Sequence, residues 1–220
     1  MALLLNIETT TTNCSVSLSK EGETLVLKED YSTNFSHAES LHVFIDDVVK
    51  SAKIKLSEID AIAVSKGPGS YTGLRIGVSA AKGLCFSLDK PLISVSTLVS
   101  LSHQVKIDNG FIVPMLDARR MEIYSAVFDA NHHQIREIQA QILDESSFLD
   151  YLNKDKVYFI GNGVEKTKTV IQHKNATFIE NKLPSAKEMG TLAFEKYKNN
   201  DFENVAYFEP FYLKDFIHLR

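Results

Sequence analysis

Short apolar runs and one alternating segment mark the first thirty residues of the chain as strands. Residues 3–7 form a mostly apolar run, as in a buried strand, and residues 14–19 alternate apolar and polar side chains with the period of a half-buried strand. Residues 24–27 predict a third strand after a glycine turn. These segments predict a β-meander, whose first turn, residues 9–13, is rich in hydroxyl groups and is headed by Glu8.

Two helices with different faces are predicted next. Ser36 and Glu39 have the spacing of a capping box, which predicts a helix over residues 36–53, and a second helix is predicted over residues 73–87. A glycine within a helix costs about 1 kcal/mol relative to alanine, so the glycines of the second helix, including Gly83, indicate an unusually close neighbour. The first helix carries an apolar stripe and the second a face of small residues: Leu41, Phe44, Ile45, Val48, Val49 and Ala52, and Gly73, Gly77, Ala80, Ala81 and Leu84.

The strand–acid–turn–strand unit of the N-terminus recurs in the second half of the chain. Residues 111–117 form an apolar run that ends in Asp117, a polar turn follows, and residues 123–128 predict the returning strand. This internal repeat indicates two related lobes, each built from a meander followed by βα units. We therefore predict an α/β fold with two lobes, residues 1–105 and 106–220, and the helix near the C-terminus can pack on either lobe.

The remaining patterns complete this outline. Ser185 and Glu188 have capping-box spacing and predict a helix that carries Met189 and Leu192. The aromatic-rich residues 207–213 predict an extended tail that is docked on the protein. Further strands are predicted at residues 61–64, 92–95 and 157–160, and a further helix at residues 97–103.

The overall charge argues against a protein that binds nucleic acid unaided. The chain has 220 residues and a net charge of −4, and its Lys and Arg residues are spread along the sequence. A protein that binds RNA alone usually carries a basic face, whereas the longest basic cluster here is Arg119–Arg120. Neither a signal peptide nor an apolar stretch of about 20 residues is visible, which predicts a cytoplasmic protein without a membrane span.

The cysteines and histidines do not form a ligand set in the sequence. Cys14 and Cys85 each lie alone in an apolar segment, as expected of two reduced core thiols. His37 and His42 are about 140° apart around the axis of the predicted helix and cannot easily share a metal ion. His132 and His133 are expected to be solvated in a turn between strands. We expect no metal site, no cofactor and no nucleophilic centre in the chain.

The glycine-rich segment of residues 67–73 is the most distinctive motif of the chain. It lies between a predicted buried strand and a predicted helix, where backbone N–H groups can surround a phosphate. Its glycines, Gly67, Gly69 and Gly73, follow neither the Walker order nor the dinucleotide-binding order Gly-x-Gly-x-x-Gly. Two interpretations remain open, a phosphate-binding loop and a tight structural turn between strand and helix.

Two acids, Glu8 and Asp117, stand at equivalent ends of the two repeated units. Carboxylates that face each other across a cleft, beside hydroxyl-rich turns, are the layout of actin-like sugar kinases and heat-shock ATPases, where they arrange metal-bound water and phosphate. The alternative is that each acid caps a turn at the end of its strand. Candidate remnants of a nucleotide cleft are Glu8, Thr9, Gly67, Gly69, Asp117, Arg119, and the glycines Gly161 and Gly163 of a later Gly-Asn-Gly turn.

Several segments, in their order and spacing, resemble the TsaB (YeaZ) family. The resemblance covers essentially the whole chain, and its string Gly-Pro-Gly-Ser-Tyr-Thr-Gly-Leu-Arg is highly specific. The segments that carry it are residues 4–9, 14–16, 67–77, 116–119, 122–124 and 209–213.

The resemblance implies a two-lobe actin-like fold of the ASKHA, ribonuclease H-like type, and a role in tRNA modification. Members of the family pair with the catalytic subunit TsaD, a larger relative of the same fold. With the ATPase TsaE, they transfer a threonylcarbamoyl group to adenosine 37 of tRNAs that read ANN codons. This implies a non-catalytic activator of TsaD that meets tRNA only through the complex and forms a homodimer when alone.

Two departures from these relatives bear on activity. TsaD binds its catalytic metal through a His-x-x-x-His motif, and the resemblance aligns Thr97 and Leu101 with those two histidines. Most of the family has Asp at the position of Glu8, and the extra methylene moves the carboxylate by about 1.5 Å, enough to spoil a metal–water geometry. Both departures argue against an independent catalytic centre.

The resemblance places the partner surface on the two helices of the first lobe, residues 36–53 and 73–87. Both helices also have to pack on their own sheet, so each residue has two possible neighbours. The competing hypothesis is an actin-like kinase or ATPase that acts alone on a small molecule and turns over Mg-ATP. The residues implied for the interface are Leu41, Phe44, Ile45, Val48, Gly73, Leu74, Gly77 and Ala80.

Overall fold

The computed structural model of the protein describes residues 1–31 and 37–214 and divides into two compact units. The first unit is Met1–Ser100 together with Pro184–Arg220, and the second unit is Leu101–Leu183. Among the helices of the described residues, none is both long and apolar enough to cross a membrane.

The first unit contains a five-stranded mixed sheet. Its strand order is β3-β2-β1-β4-β5, in which the first three strands in sequence form an antiparallel meander and β4 and β5 run parallel to β1. The meander and both later strands confirm the sequence prediction. The strands are β1 (Leu3–Glu8), β2 (Cys14–Lys20), β3 (Glu23–Asp30), β4 (Ala61–Gly67) and β5 (Leu92–Ser96).

Apolar cores lie on both faces of this sheet, as the burial of nearly all β1 and β2 side chains requires. On one face, Leu5 packs in a core with residues of α1 (His37–Ser51) and α2 (Tyr71–Leu88). The neighbouring Leu4 belongs to the core of the opposite face. A short helix, α3 (Thr97–Ser102), follows β5.

The second unit repeats the topology of the first. Its sheet order is β10-β9-β6-β7-β8, so its own meander and its two parallel strands occupy the same places as in the first sheet. The predicted duplication is thereby confirmed. The elements are β6 (Phe111–Asp117), β7 (Glu122–Phe128), β8 (Gln134–Ile142), α4 (Leu149–Leu152), β9 (Val157–Ile160), α5 (Val164–Val170) and β10 (Ala176–Ile179).

The C-terminal segment returns to the first unit and binds β2 through serine side chains. Ser17 Oγ donates to the Ala186 carbonyl at 2.8 Å, and the Ala186 N–H donates to Ser15 Oγ at 3.0 Å. The final helix, α6 (Met189–Lys198), packs in the core that contains Leu4. The helix that could pack on either lobe therefore lies in the first unit, and the second unit ends well before the predicted residue 220.

The two predicted capping boxes have different outcomes. Ser36, the first residue of one box, lies outside the described residues, and α1 is described from His37. The second box is wrong, because Ser185 lies too far before the helix that begins at Met189 to cap it. Its Oγ instead accepts the Lys187 N–H at 3.0 Å.

The predicted docking of the C-terminal tail is confirmed. The Phe211 N–H donates to the Lys66 carbonyl at 2.7 Å, and the ring of Tyr212 lies 4.9 Å from that of Tyr71 at the start of α2. Further along α2, the Lys82 ammonium donates to the carbonyl of Phe208 at 2.9 Å. The tail therefore runs along α2 toward its N-terminus.

Candidate functional site

Glu8 ends β1 as a fully buried carboxyl group. Its Oε1 accepts hydrogen bonds from the backbone N–H of Thr10, at 2.6 Å, and from the Thr10 hydroxyl. Burial raises the pKa of Glu8 above its usual value, and hydrogen bonds from Ser65 and Thr10 oppose that rise only in part. A carboxyl group in this environment favours its neutral form.

A hydroxyl group of β4 and one of α3 lie beside Glu8. Ser65 belongs to β4, and its Oγ lies 2.8 Å from Oγ1 of Thr97, the first residue of α3. Both side chains are buried. Glu8, Ser65 and Thr97, hereafter the Glu8 cluster, therefore meet where β1, β4 and β5 reach their carboxyl ends, the edge at which open α/β sheets place their ligands.

The Glu8 cluster lacks the donors of a transition-metal site. It offers one carboxyl group and two hydroxyls that already bond to each other. Thr97 and Leu101, the two residues aligned with the histidines of TsaD, are both buried and neither carries a nitrogen ligand. Across the part of the chain that the structure describes, no group of three His, Cys, Asp or Glu side chains could hold a metal ion.

The glycine-rich loop is packed against the first hydroxyl-rich turn. A Cβ at Gly69 would lie 2.6 Å from the Thr10 carbonyl oxygen, and a Cβ at Gly73 only 2.0 Å from that of Thr9. The Ser70 N–H donates to the Thr10 carbonyl at 2.7 Å. These contacts support the structural interpretation of the loop, because its backbone is used to hold β1 and α2 together rather than left open for a phosphate.

Asp117 ends β6 at the position equivalent to Glu8, as predicted, but its surroundings differ. Its Oδ1 accepts the ammonium of Lys166, from α5, at 2.6 Å and the backbone N–H of Arg119 at 2.6 Å. The same ammonium donates to the carbonyls of Arg120 and Glu122. Asp117 therefore braces the β6–β7 turn, in agreement with the turn-capping alternative.

The Gly-Asn-Gly turn after β9 is also accounted for within the second unit. A Cβ at Gly161 would lie 2.1 Å from the Met115 carbonyl oxygen, and one at Gly163 would lie 3.1 Å from Cγ of Met115. The Asn162 side chain accepts the N–H of Asp117 at 2.9 Å. The two glycines thus allow this turn to pack against β6.

Lys166 is expected to be a stabilising residue of the second unit. Its side chain is 13% exposed and makes one ion pair and two hydrogen bonds to carbonyls, so Lys166→Met should lower the free energy of unfolding by about 2 kcal/mol. The matched control is Lys168→Met on the same helix, which removes only a half-exposed pair with Glu180 and should cost less than about 1 kcal/mol. Urea unfolding of both variants measures the difference. Equal losses would contradict the role assigned to Lys166.

Relatives of known family match the chain along almost its full length. It is 30% identical to the tRNA threonylcarbamoyladenosine biosynthesis protein TsaB of Haemophilus influenzae, over 96% of this chain and 93% of that protein. The structure of YeaZ from Pseudomonas aeruginosa matches with a TM-score of 0.84 and 26% identity, over 97% of this chain and all of that one. The chain belongs to the TsaB (YeaZ) family.

This TsaB-family chain is also similar to a second family, that of the transferase TsaD. The family model of TsaD, tRNA N6-adenosine threonylcarbamoyltransferase, matches residues 32–218. A Staphylococcus epidermidis tRNA N6-adenosine threonylcarbamoyltransferase is 34% identical over 129 residues, which are 52% of this chain but only 38% of that protein. The predicted α/β fold with two lobes and the predicted family are both confirmed.

The structure buries most of the residues that the resemblance placed at the partner interface of a TsaB-family chain. Phe44 and Ala80 are partly buried against the core that contains Leu41, Ile45 and Val48. The other six residues are buried within their own unit in this chain, and their assignment to a partner interface stays a prediction. The six are Leu41, Ile45, Val48, Gly73, Leu74 and Gly77.

A different part of α2 is open. Ser79 is exposed, a Cβ at Gly83 would meet nothing within 4 Å, and Phe86 is 87% exposed. Their spacing of i, i+4 and i+7 puts them on one side of the helix, hereafter the open α2 face. On α1, Val43 is 56% exposed. The two glycines that predicted a close neighbour differ: Gly77 lies against Thr9 of its own chain, whereas Gly83 has no close neighbour among residues 1–31 and 37–214.

The remaining sequence predictions concern cysteine and histidine. Cys14 and Cys85 are free and buried, as predicted, and burial raises the pKa of each thiol to about 12, so neither is a reactive thiolate. His133 is exposed, as predicted, whereas His132 is only partly exposed, because its ring stacks on that of His103 at 4.2 Å. Desolvation lowers the pKa of His132, and the neighbouring His103 adds to that shift.

Proposed function

We propose that the chain is a non-catalytic subunit that activates a TsaD-type transferase in forming threonylcarbamoyladenosine at position 37 of tRNAs that read ANN codons. The observation that carries this proposal is the Glu8 cluster. At the site where the resemblance places the metal-binding histidines of TsaD, this chain has Thr97, whose hydroxyl group is hydrogen-bonded to that of Ser65. A buried hydroxyl pair supplies neither a metal site nor a nucleophile with a base.

The competing hypothesis, a kinase or ATPase that acts alone, receives less support. Its candidate phosphate loop is packed against Thr9 and Thr10, and one of its two candidate carboxylates, Asp117, is held by Lys166. Burial raises the pKa of Glu8, so the site disfavours the ionised carboxylate that a cation would need. The features that suggested nucleotide binding are thus used for packing within each unit.

As a partner subunit, the chain would act through its surfaces. The open α2 face combines an exposed aromatic side chain with a glycine that has no neighbour in its own chain, and a helix of a TsaD-type protein can approach closely at such a glycine. In isolation, the same face would pair with a second copy and give the homodimer. TsaE would join the assembled pair, tRNA would be reached only through the assembly, and the assembly would act in the cytoplasm.

The direct test is a reconstitution with the TsaD-type transferase, TsaE and threonylcarbamoyl-adenylate synthase of the same organism. Modified adenosine in tRNA is measured with and without this chain, and ATP turnover is measured with the chain alone. We expect modification that depends on the chain and no turnover by the chain itself. Modification that is equally fast without it would overturn the partner role, and turnover by the chain alone would favour the kinase or ATPase hypothesis.

The open α2 face can be tested separately by replacing its aromatic residue. Phe86→Gln should weaken assembly with the TsaD-type subunit at least about 30-fold, because truncated aromatic anchors at interfaces cost about 2 kcal/mol or more. The matched control is Ile142→Gln, which removes a 71% exposed apolar side chain from β8 in the second unit and should leave the affinity unchanged. Calorimetric titration measures both. An unchanged affinity for Phe86→Gln would show that the partner binds elsewhere.

A further inference from the structure

The turn between β6 and β7 holds two consecutive arginines in a conformation that arginine rarely adopts. Arg119 has a φ of 69° and Arg120 a φ of 49°. Residues with a Cβ are disfavoured in this left-handed region, where glycine and asparagine are the usual occupants. Two adjacent strained positions that could be relaxed by asparagine and glycine point to a use for the side chains themselves.

Hydrogen bonds on the inner side of the turn hold its backbone, and the guanidinium groups take no part in them. The Asp117 carboxylate accepts the Arg119 N–H, and the Lys166 ammonium donates to the carbonyls of Arg120 and Glu122. The Ala118 N–H also donates to the carbonyl of Glu122 at 3.0 Å. The backbone of both arginines is therefore held in place before any ligand binds.

Both guanidinium groups are left for an external partner. Arg119 and Arg120 are exposed, and within residues 1–31 and 37–214 neither side chain makes a hydrogen bond or an ion pair. The carboxylate at the base of the turn, Asp117, is already neutralised by Lys166. Two cationic side chains thus extend from a backbone that is held in place, at the tip of a hairpin in a chain whose net charge is −4.

We propose that the Arg119–Arg120 turn is a phosphate-binding site that contacts the backbone of the tRNA in the assembled complex. The planar guanidinium fork matches a phosphate bidentately, and a rigid turn loses little entropy when it binds. The site rests on the proposed function, because the tRNA reaches this chain only within the complex. Two phosphate contacts would supplement the RNA affinity of the catalytic subunit rather than replace it, as the acidic net charge of this chain requires.

The test separates the effect of the two arginine charges on tRNA binding from the effect of the substitutions on stability. Arg119→Asn with Arg120→Gly removes both cations and replaces them with the residues that tolerate positive φ, so the Tm of the double variant should equal or exceed that of the parent. In the assembly with the TsaD-type subunit, the same variant should bind tRNA about tenfold more weakly at 150 mM salt. The slope of log affinity against log salt should become shallower by about 1.4–1.8, the contribution of two phosphates.

Two further variants control this comparison. Lys53→Gly also removes an exposed cation at positive φ, with a φ of 56°, but lies at the end of α1, and it should leave the salt slope unchanged. Arg119→Lys with Arg120→Lys keeps both charges without the planar fork, so the slope should stay near the parent value while the affinity falls. A purely structural role of the arginines would move Tm rather than the salt slope.

Each outcome decides between specific alternatives. An unchanged tRNA affinity and salt slope in the Asn–Gly variant would overturn the phosphate site while leaving the proposed function standing. Weakened assembly with the TsaD-type subunit and unchanged tRNA affinity would instead identify an acidic protein surface as the ligand of the turn, and would also overturn this proposal. Failure of the parent chain itself to assemble or to stimulate modification would overturn the proposed function and the phosphate site with it.

Discussion

Replacing Gly73 by alanine is expected to lower the free energy of unfolding by about 3 kcal/mol or more. A Cβ at this position would lie 2.0 Å from the Thr9 carbonyl oxygen, a backbone atom of the first unit. The contact cannot relax easily, because the Thr9 hydroxyl donates to the Gly73 carbonyl at 2.7 Å and the neighbouring Ser70 N–H donates to Thr10. Separation of the two segments would break both hydrogen bonds, which adds their loss to the steric cost.

Gly83→Ala on the same helix is the matched control. Among the described residues no atom lies within 4 Å of the Cβ that this change adds, so alanine should stabilise the monomeric chain, at concentrations too low for self-pairing, by about 1 kcal/mol through its higher helix propensity. Urea unfolding of both variants gives the two free energies. Similar effects for the two changes would mean that Gly73 does not have the close contact with Thr9.

The strands with strong apolar signals could be predicted from the sequence, and the two edge strands of the second sheet could not. β1, β4 and β6 are buried on both faces and read as apolar runs. β8, in contrast, is an edge strand with mostly polar or half-exposed side chains, and β10 is a four-residue edge strand. Their positions are set by pairing with β7 and β9, so the hydrophobic pattern of their own residues says little about where these strands lie.

The neighbours of the buried helix faces could not be predicted from the sequence. The stripe of Leu41, Ile45 and Val48 predicts only that one side of α1 is covered, and the sheet of the same chain covers it. Gly77 indicated a close neighbour, which proved to be the Thr9 hydroxyl rather than another helix. Periodicity identifies a buried face but does not say whether its neighbour belongs to the same chain.

The two acids of the candidate site could be predicted from the sequence, but the side chains that surround them could not. The acids Glu8 and Asp117 were found because each ends an apolar run, a pattern visible in sequence. Ser65 and Lys166, which decide how those acids behave, come from distant elements, and Lys166 lies on α5, a helix that was not predicted. Glu8 is buried, whereas Asp117 is bound by an ammonium group. Only tertiary packing makes the surroundings of these two equivalent carboxyl groups so different.

Glu8→Gln is expected to make the protein more stable than the parent at pH 8 but not at pH 4. Burial raises the folded-state pKa of Glu8 above the ordinary value of 4.5. Well below pH 4.5 the carboxyl group of the parent is neutral in both the folded and the unfolded state, so its ionisation does not lower the free energy of unfolding. As the pH rises above 4.5 the unfolded state ionises first, so the parent loses about 1.36 kcal/mol per pH unit until the folded-state pKa is reached. Glutamine stays neutral throughout and keeps the acceptor oxygen for Thr10.

The pH dependence of the difference, rather than its value at one pH, decides the question. Any pH-independent cost of the glutamine N–H₂ group near Ser65 shifts the whole curve and leaves its slope intact. Glu145→Gln, at an exposed position of the second unit, provides the baseline for a carboxylate that water reaches in both states. Urea unfolding from pH 4 to pH 8 should give a free-energy difference that grows more with pH for Glu8→Gln than for Glu145→Gln. An equal pH dependence for both would mean that Glu8 ionises freely in the folded chain, and that the Glu8 cluster is open enough to bind a cation after all.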